Sequence, residues 1–406
     1  MRRLKIAVWH NLPSGGGKRA LYHHVKGLVE RGHTVESWCP STADQTYLPL
    51  SSLIRETIIP LKTPRRRFGL FPSLGWRMAA IQSMHIHSQH CAEEISQGGF
   101  DILFANSCQL LLSPIIGRYV KIPRVLYLGE PNRSFYEARP ELFWLALPEP
   151  KKLSLAHLNQ FLRNLIKVQS LRYQAREELD NAKAFDLVLV NSLFSRESIL
   201  RAYGLDSTVC YLGIDTSLFQ PLNLPRQNFV IGLGNLYQGK GVDRAVRAIA
   251  TVDSVIRPTL LWVGNSVNQA YREEIEQLAA ALAVDFIYKI LVPDSQLIEL
   301  LNQASVMIYS SILEPFGLAP LEANACGTPV VAIAEGGIRE SIQNGVNGFL
   351  IQGNDSIAFG DAISELLTNE ELRIQMSFQA RKNALEHWSL NTGIDRLETL
   401  LNQLVS

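Results

Sequence analysis

The stretch Glu314-Pro-Phe-Gly-Leu-Ala-Pro-Leu-Glu322-Ala-Asn-Ala-Cys-Gly327-Thr-Pro329 decides how the second half of this sequence folds. From Gln303 to Ile333 the only charged side chains are the two glutamates, Glu314 and Glu322. A run this apolar is expected to be buried, and buried carboxylates are rare unless other groups pair with them. We therefore expect both glutamates to be buried and to mark a site.

A strand, a helix and a second strand are predicted across this stretch. The short apolar runs Val306-Met-Ile-Tyr309 and Val330-Val-Ala-Ile333 are typical of buried strands. Residues 318–326 have the composition of a short helix. Gly327 suits the left-handed position that follows the last turn of a helix.

The order of these elements places both glutamates near the start of the helix. Glu314 would lie in the preceding loop, and Glu322 inside the helix. The first backbone N–H groups of the helix, at Phe316, Gly317 and Leu318, have no partner within it and form an anion-binding site. Two glutamates eight positions apart also arise by chance, one of them as a helix cap, but the Pro-Phe-Gly between them and the Gly-x-Pro stop favour a site.

Length and composition restrict the class of protein. A chain of 406 residues exceeds the usual size of one hydrophobic core, so two domains are expected. A net charge of +1 argues against a chain built to bind nucleic acid. The five scattered cysteines, with no Cys-x-x-Cys pair, suit reduced thiols better than a disulfide or zinc framework. We find neither a signal peptide nor a spanning helix, and expect a cytoplasmic protein, at most peripheral at the inner membrane surface.

Strand-like apolar runs alternate with amphipathic helical segments, which is typical of parallel α/β sheets. The first predicted strand, residues 4–9, is followed by Ser14-Gly-Gly-Gly17 and by a helix at about 18–31. Glycines between a strand and a helix let the backbone approach a ligand closely. Gly16 and Gly17 are therefore candidate binding residues.

A second strand and glycine loop begin at Phe229-Val-Ile-Gly-Leu-Gly234 and continue through Asn235 to Lys240-Gly241. A dinucleotide-binding fingerprint is the alternative interpretation. It fails because Tyr237 stands where the third glycine would be required.

These motifs together resemble the retaining glycosyltransferases of the glycosyl transferases group 1 family, often called family 4. The run from Glu314 to Glu322 is similar to the family's Glu-x7-Glu signature, and Lys240-Gly241 are similar to its Lys-Gly pair. The resemblance implies an α/β GT-B fold with two Rossmann-like parallel-sheet domains facing across an interdomain cleft. It implies an acceptor-side domain (1–215), a nucleotide-sugar-binding domain (216–385) and a C-terminal helix (386–406) crossing back to the first domain.

The resemblance also implies a donor site. Glu314 would lie beside the transferred sugar, Glu322 would bind the donor ribose, and Lys240 would contact the leaving diphosphate. Glu314 and Lys240 are the expected catalytic residues. The residues expected to bind the donor are Gly16, Gly17, Asn235, Lys240, Gly264, Glu314, Phe316, Gly317, Leu318 and Glu322.

Two positions depart from the family pattern. Relatives carry an arginine where this chain has Asn235, and often a histidine where it has Gly129. Glu130 and Arg133 are then the polar candidates for the acceptor and sugar side. A loop held by an ordinary salt bridge is an equally good interpretation of these two residues.

No Asp-x-Asp motif occurs, so a metal-bridged diphosphate site has no obvious ligands. We expect no metal and no cofactor, with a nucleotide-diphosphate sugar as substrate. The run Arg65-Arg-Arg67 predicts either a solvated loop or a contact of Arg65, Arg66 and Arg67 with anionic lipid.

The implied activity is metal-independent transfer of a hexose to a lipid or saccharide acceptor, with retention of anomeric configuration, as in polysaccharide biosynthesis. Two alternatives stay open. One is a nucleotide-sugar epimerase or phosphorylase on the same fold, and the other is a non-catalytic protein that binds nucleotide sugars.

Overall fold

A computed structural model describes residues 2–62, 72–137 and 155–405. Within it the chain forms two compact units. The first comprises the residues up to Asn191, Ser195–Cys210 and the residues from Ile394 onward. The second comprises Ser192–Phe194 and Tyr211–Gly393. The main division at 210/211 lies close to the 215/216 boundary expected from sequence, and residues 386–393 fall in the second unit.

The first unit contains a parallel sheet of seven strands in the order β3-β2-β1-β4-β5-β6-β7. Its strands are β1 (Lys5–Asn11), β2 (Thr34–Pro40), β3 (Arg55–Ile59), β4 (Ile102–Cys108), β5 (Arg124–Tyr127), β6 (Leu187–Val190) and β7 (Thr208–Val209). The helices are α1 (Gly16–Glu30), α2 (Pro72–Gln97), α3 (Arg133–Tyr136), α4 (Leu155–Ala182) and α5 (Leu193–Tyr203), the last of which begins within the second unit. The order reverses between β1 and β4, as in doubly wound sheets that bind ligands at the carboxyl edge.

The second unit contains a parallel sheet of six strands in the order β10-β9-β8-β11-β12-β13. Its strands are β8 (Gln227–Leu233), β9 (Thr259–Gly264), β10 (Phe286–Ile290), β11 (Ala304–Tyr309), β12 (Val330–Ile333) and β13 (Gly348–Ile351). The helices are α6 (Val242–Thr251), α7 (Gln269–Ala281), α8 (Asp294–Gln303), α9 (Leu318–Ala325), α10 (Ile338–Ser341), α11 (Ser356–Thr368), α12 (Glu370–His387) and the start of α13 (Leu390–Val405). From Ile394 onward α13 belongs to the first unit.

The predicted elements that carry the motifs are confirmed, with one shift at the first glycine turn. The strand at 306–309, the second strand at 330–333 and the helix between them are all present. Helix α1, however, begins at Gly16 rather than Lys18. Gly15 has φ 135°, a conformation that favours glycine, so the chain turns into the helix there. Gly16 and Gly17 thus form the exposed first turn of α1 rather than a loop.

Each unit packs its own apolar core against its sheet. In the first unit Trp9 and Trp38 are buried with helix α2, and in the second Trp262 is buried beside α6. All five cysteines are buried and unbonded to one another. None of the described helices is long and apolar enough to cross a bilayer. The arginines at 65–67 lie outside the described residues, so the lipid-contact hypothesis stays a prediction.

Helix α1 buries an unpaired histidine in the first core. His24 is 3% exposed, and its ring packs edge-on against Phe104 and Tyr127. Neither ring nitrogen has a hydrogen-bond partner in the described chain. Burial, with a smaller contribution from the neighbouring His23, lowers the pKa of His24 to about 3. The folded protein therefore holds this ring neutral.

We expect His24 to make the stability depend on pH. The pKa of His24 is lower in the folded chain than in the unfolded chain, where it is near 6.5. Above pH 6.5 this difference therefore does not reduce the free energy of unfolding, and as pH falls from 6.5 towards 3 that free energy decreases. Between pH 7 and pH 5 the free energy of unfolding of the wild type should fall by about 2 kcal/mol more than that of His24→Leu. Urea unfolding at the two pH values measures this difference. The exposed His90, replaced by leucine, is the control, and equal pH dependence in wild type and His24→Leu would contradict the expectation.

Candidate functional site

The loop between β11 and α9 places the first glutamate at the carboxyl edge of the second sheet. Glu314 follows the strand end by a few residues, and α9 begins at Leu318. The helix ends as predicted, with Gly327 at φ 71° directly after its C-cap. Glu322 is buried inside α9 at 3% exposure, as expected.

The expectation that Glu314 is buried was wrong, because its side chain is 21% exposed. The loop lies beyond the strand end, where the apolar layer of the sheet stops. Glu314 is instead held by an ion pair, since the Lys240 ammonium lies 2.7 Å from its Oε2. A hydrogen bond between charged partners is stronger than a neutral one and fixes the carboxylate in place.

Two hydroxyl-bearing residues at the end of β11 complete the environment of this carboxylate. Ser311 Oγ donates to Glu314 Oε2 at 3.0 Å. Tyr309 is buried, and its phenol interacts with the Glu314 carboxylate. Burial first, and then the nearby carboxylate of Glu314, raise the pKa of the Tyr309 phenol well above its ordinary value. Tyr309 therefore stays protonated as a donor.

The loop that carries Lys240 is tied to the same strand end. Ser310 Oγ donates to the carbonyl oxygen of Gly241 at 2.7 Å. Ser311 Oγ also lies 3.3 Å from the Gly239 oxygen. These contacts keep the lysine loop, residues 238–241, against the end of β11. Neither serine was predicted from the sequence, although two hydroxyl residues directly after a buried strand indicate a possible site at the carboxyl edge of a sheet.

A second glycine turn presses on the backbone beside Glu314. Gly337 N–H donates to the Glu314 carbonyl oxygen at 2.9 Å. A Cβ at Gly337 would overlap the carbonyl oxygen of Pro315, which already accepts from Ser192 Oγ at 2.5 Å. The loop that positions Glu314 therefore has no room to move on this side.

Replacing Gly337 with alanine is expected to displace the Glu314 loop. The backbone of Gly337, at φ −74° and ψ −10°, accepts alanine, so the effect is purely steric. Overpacking of this kind costs about 1–3 kcal/mol of stability, and the displaced carboxylate should lower turnover as well. Denaturant unfolding and steady-state rates measure both effects. Gly75→Ala, where a Cβ meets nothing within 4 Å, is the control; equal stability of the two variants would refute the packing argument.

The start of α9 offers unused hydrogen-bond donors. Among the described residues, the backbone N–H groups of Phe316, Gly317 and Leu318 donate to no protein acceptor. The Phe316 side chain is buried against Tyr211 and Trp388, which holds this turn in place. The N-terminus of a helix attracts negative charge and polar oxygens. A ligand oxygen beside Glu314 therefore has three backbone donors within the same turn.

Asn235, expected to bind the donor, has a bracing role in the structure. Its Oδ1 accepts hydrogen bonds from the N–H groups of Asn265 and Ser266, both at 3.1 Å. The amide thus links the loops that follow β8 and β9. Gly264 lies at the same junction, where a Cβ would overlap the carbonyl oxygen of Gly234. Gly264 therefore allows the two loops to pack closely.

The candidates of the first unit lie in separate places. Gly16 and Gly17 form the first turn of α1. Arg133 pairs with Glu130 at 3.5 Å and with Glu137 at 2.5 Å, so the loop salt bridge considered from the sequence is present. At Gly129 a Cβ would lie 3.1 Å from Asn191 Nδ2. The structure brings Lys240 and Glu314 together, and it gives Glu130 and Arg133 a structural contact.

The class of protein follows from the two sheets and from the structures that share them. Anabaena Alr3699/HepE, solved in complex with UDP and glucose, superposes with a TM-score of 0.70 at 21% identity, covering 99% of this chain and 100% of that one. Sucrose-phosphate synthase from Thermosynechococcus elongatus gives a TM-score of 0.70 at 20% identity and covers 99% of each chain. With two Rossmann-like parallel sheets, the fold is of the α/β GT-B type.

The chain belongs to Glycosyltransferase Family 4, whose model matches residues 14–218, half of the chain. The model of Glycosyl transferases group 1 matches residues 214–383. Among curated proteins, D-inositol 3-phosphate glycosyltransferase of Corynebacterium jeikeium is 28% identical over 261 residues, 58% of this chain and 61% of that protein. The protein of the same name from Acidothermus cellulolyticus is 31% identical over 234 residues, 52% of each. These matches span less than two thirds of the relatives' length.

Proposed function

We propose that this protein is a retaining glycosyltransferase that moves a hexose from a nucleotide-diphosphate sugar to a lipid or saccharide acceptor without a metal ion. The observation that carries the proposal is the Lys240–Glu314 pair, 2.7 Å apart beside three unused backbone donors. Family membership supports glycosyl transfer. The complexes of Alr3699/HepE with UDP and with UDP-glucose support a nucleotide-sugar donor.

Lys240 and Glu314 would exchange partners when the donor binds. In the ligand-free chain the ammonium neutralises Glu314. A diphosphate carries more charge than one carboxylate and would attract the ammonium more strongly. Glu314 would then face the sugar, stabilising positive charge at the anomeric carbon in the transition state. The N–H groups of residues 316–318 would hold sugar hydroxyls, and the buried Glu322 would bind the ribose.

The proposed reaction exchanges one bond at the anomeric carbon for another on the same face. The bond from that carbon to the β-phosphate oxygen breaks, and its electron pair leaves with the nucleoside diphosphate. The acceptor oxygen forms the new bond, and its proton passes to the departing phosphate oxygen. Lys240 lowers the barrier by neutralising the leaving group, a term expected to exceed the roughly 0.3–1 kcal/mol of a helix terminus.

The experiment follows nucleoside diphosphate release from a panel of UDP-, GDP-, ADP- and dTDP-sugars, with and without EDTA. Lipid extracts, oligosaccharides and a polyol phosphate serve as acceptors, the last because the curated relatives carry the name D-inositol 3-phosphate glycosyltransferase. Acceptor-dependent release that EDTA leaves unchanged, with a product of retained configuration by NMR, is expected. Epimerised free donor would replace the proposal with an epimerase, and binding without turnover would replace it with a non-catalytic binding protein.

We further propose that the protein works in the cytoplasm, with a peripheral contact to anionic membrane through the arginines at 65–67. The support is the sequence run alone, where each cation near such a surface contributes on the order of 1 kcal/mol. Sedimentation with phosphatidylglycerol vesicles checks it. Unchanged binding after replacing all three arginines with glutamate would remove this contact.

A further inference from the structure

One face of the first sheet carries buried polar side chains beneath the start of α1. His10 lies on β1, Ser37 and Cys39 lie on β2, and Glu56 lies on β3. In the parallel register Ser37 is level with Val8 on one side and with Glu56 on the other. Because side chains alternate along a strand, His10, Cys39 and Glu56 project to this same face.

These side chains are closed off from solvent. His10, Ser37 and Cys39 are 0% exposed, and the Glu56 side chain is 1% exposed. Lys18, in the first turn of α1, is also 0% exposed and interacts electrostatically with Glu56 and Cys39. Apolar side chains are the usual occupants of a site under a helix, so this polar group requires an explanation.

Four polar atoms of the group lack a hydrogen-bond partner among the described residues. They are His10 Nδ1, Lys18 Nζ, Ser37 Oγ and Glu56 Oε2. Buried polar atoms are nearly always paired, and an unpaired one destabilises the fold. In the described part of the second unit, by contrast, no side-chain atom is left in this state. Other unpaired buried atoms occur elsewhere in the first unit, but here four of them belong to side chains that share one face of the sheet and the helix turn above it.

The donor atoms at this place suit a zinc ion. A ring nitrogen of His10, the Cys39 sulfur and a Glu56 carboxylate oxygen all lie within 4.8 Å of one another. Two separations are known directly, 2.9 Å from His10 Nε2 to Glu56 Oε1 and 3.7 Å from Cys39 Sγ to the same oxygen. Around tetrahedral zinc, with bonds of about 2.0–2.3 Å, ligand atoms stand roughly 3.2–3.8 Å apart. Small side-chain adjustments bring all three into range.

We propose that His10, Cys39 and Glu56 form a binding site for one zinc ion beneath the N-terminal turn of α1. Nitrogen, thiolate and carboxylate donors match the ligand preference of zinc over harder cations. On binding, the Cys39 thiol releases its proton to solvent, and the hydrogen bond between His10 and Glu56 is exchanged for two bonds to the metal. The three side chains supply three of the four ligands that tetrahedral zinc takes. The sequence led us to expect no metal, neither at the donor diphosphate nor among the cysteines, and this proposal departs from that expectation at Cys39.

Lys18 sets the strength of the site. Its ammonium interacts with the Glu56 carboxylate first and more weakly with the carboxylate of Asp44, which is not buried. Among the buried side chains alone, Lys18 and Glu56 balance each other in charge. With zinc, a thiolate and a carboxylate present, the same ammonium becomes an excess positive charge in a buried place. Lys18 therefore opposes the metal, and removing its charge should tighten binding. Adventitious metal elsewhere on the chain would not respond in this way.

The site would join β1, β2 and β3 at the edge where the first glycine turn begins. Gly15 and Gly16 directly follow this edge in the chain. Zinc would thus stabilise the first unit and the start of α1. The inference is independent of the proposed function, because it concerns a different unit from Lys240 and Glu314.

The test is cobalt and zinc binding by the full chain after chelator treatment. We expect one equivalent of cobalt to produce a near-ultraviolet thiolate-to-metal absorption band, and one zinc to displace it. Cys39→Ser should abolish the band, and Glu56→Gln should weaken zinc binding at least about tenfold. The matched control is Cys210→Ser, because Cys210 is also 0% exposed. This variant should keep the cobalt absorption band and the zinc affinity of the wild type.

Lys18→Met tests the site in the opposite direction, because this substitution should strengthen zinc binding and not weaken it. Competition with a chromophoric chelator should show zinc bound at least about tenfold more tightly than by the wild type. Circular dichroism of each variant verifies that it is folded. Absence of the cobalt band in the wild type, an equal band in Cys39→Ser, or weaker zinc binding by folded Lys18→Met would each overturn the proposal.

Discussion

Replacing Lys240 with alanine is expected to lower turnover at least about a hundredfold, which corresponds to roughly 2.7 kcal/mol of barrier. The substitution removes two functions of the Lys240 side chain. The side chain holds Glu314 at 2.7 Å in the ligand-free chain, and in the proposed mechanism it neutralises the leaving diphosphate. Alanine leaves Glu314 with the Ser311 hydroxyl and the Tyr309 phenol but without a neighbouring cation.

Steady-state rates of nucleoside diphosphate release measure this change. Lys382→Ala, at an exposed lysine of α12 in the same unit, controls for a general loss of positive charge. Thermal unfolding of both variants separates a folding defect from a loss of catalysis. A rate for Lys240→Ala near that of the wild type would remove the diphosphate role.

Changing Glu314 is the second substitution with a large expected effect. Glu314→Ala should lower turnover at least about a hundredfold. Glu314→Gln keeps the size of the side chain and an acceptor oxygen for Ser311 while removing the charge. If stabilisation of the anomeric centre is electrostatic, the glutamine variant should lose nearly as much rate as alanine. Exposed Glu299 on α8, changed to glutamine, is the matched control.

The two substitutions should not be additive. Lys240 and Glu314 form one ion pair, and residues that act as a unit lose most of their effect with the first change. The turnover of the double variant is therefore expected to lie within about tenfold of the turnover of the slower single variant. A product of the two single losses would indicate independent roles and contradict the exchange of partners.

The fold around the signature was predictable from sequence because its signals are local. Apolar runs, the helix composition at 318–326 and Gly327 each act within a few residues, and the structure confirms all three. The alternation of strands and helices predicted parallel sheets, the chain length predicted two domains, and the resemblance implied one such sheet in each. Element order and fold class therefore followed from patterns that do not require knowledge of long-range contacts.

The contacts that define the site were not predictable in the same way. Lys240 and Glu314 are 74 positions apart, and only the sheet order brings their loops together. The place of Asn235 in a motif could not show that its amide oxygen accepts from two backbone N–H groups of the next loop, and its contact with the donor stays a prediction. The exposure of Glu314 was missed because composition predicts burial of a segment and not of one side chain at its edge.

The contacts of the polar group beneath α1 were even less predictable from the sequence. His10, Cys39 and Glu56 come from three strands, and none lies in a recognisable metal-binding spacing. Cysteine spacing alone favoured reduced thiols without a metal. Only the register of β1, β2 and β3 shows that the three side chains share a face.

Glycosyl transfer assisted by Lys240 is tested by nucleoside diphosphate release from the panel of nucleotide sugars, measured for wild type and Lys240→Ala. We expect acceptor-dependent release from at least one donor, retained anomeric configuration in the product, and a rate at least about a hundredfold lower in the variant. Donor turnover that is equal in the two proteins, or wild-type protein that binds a donor and never releases the diphosphate in any acceptor mixture, would contradict it.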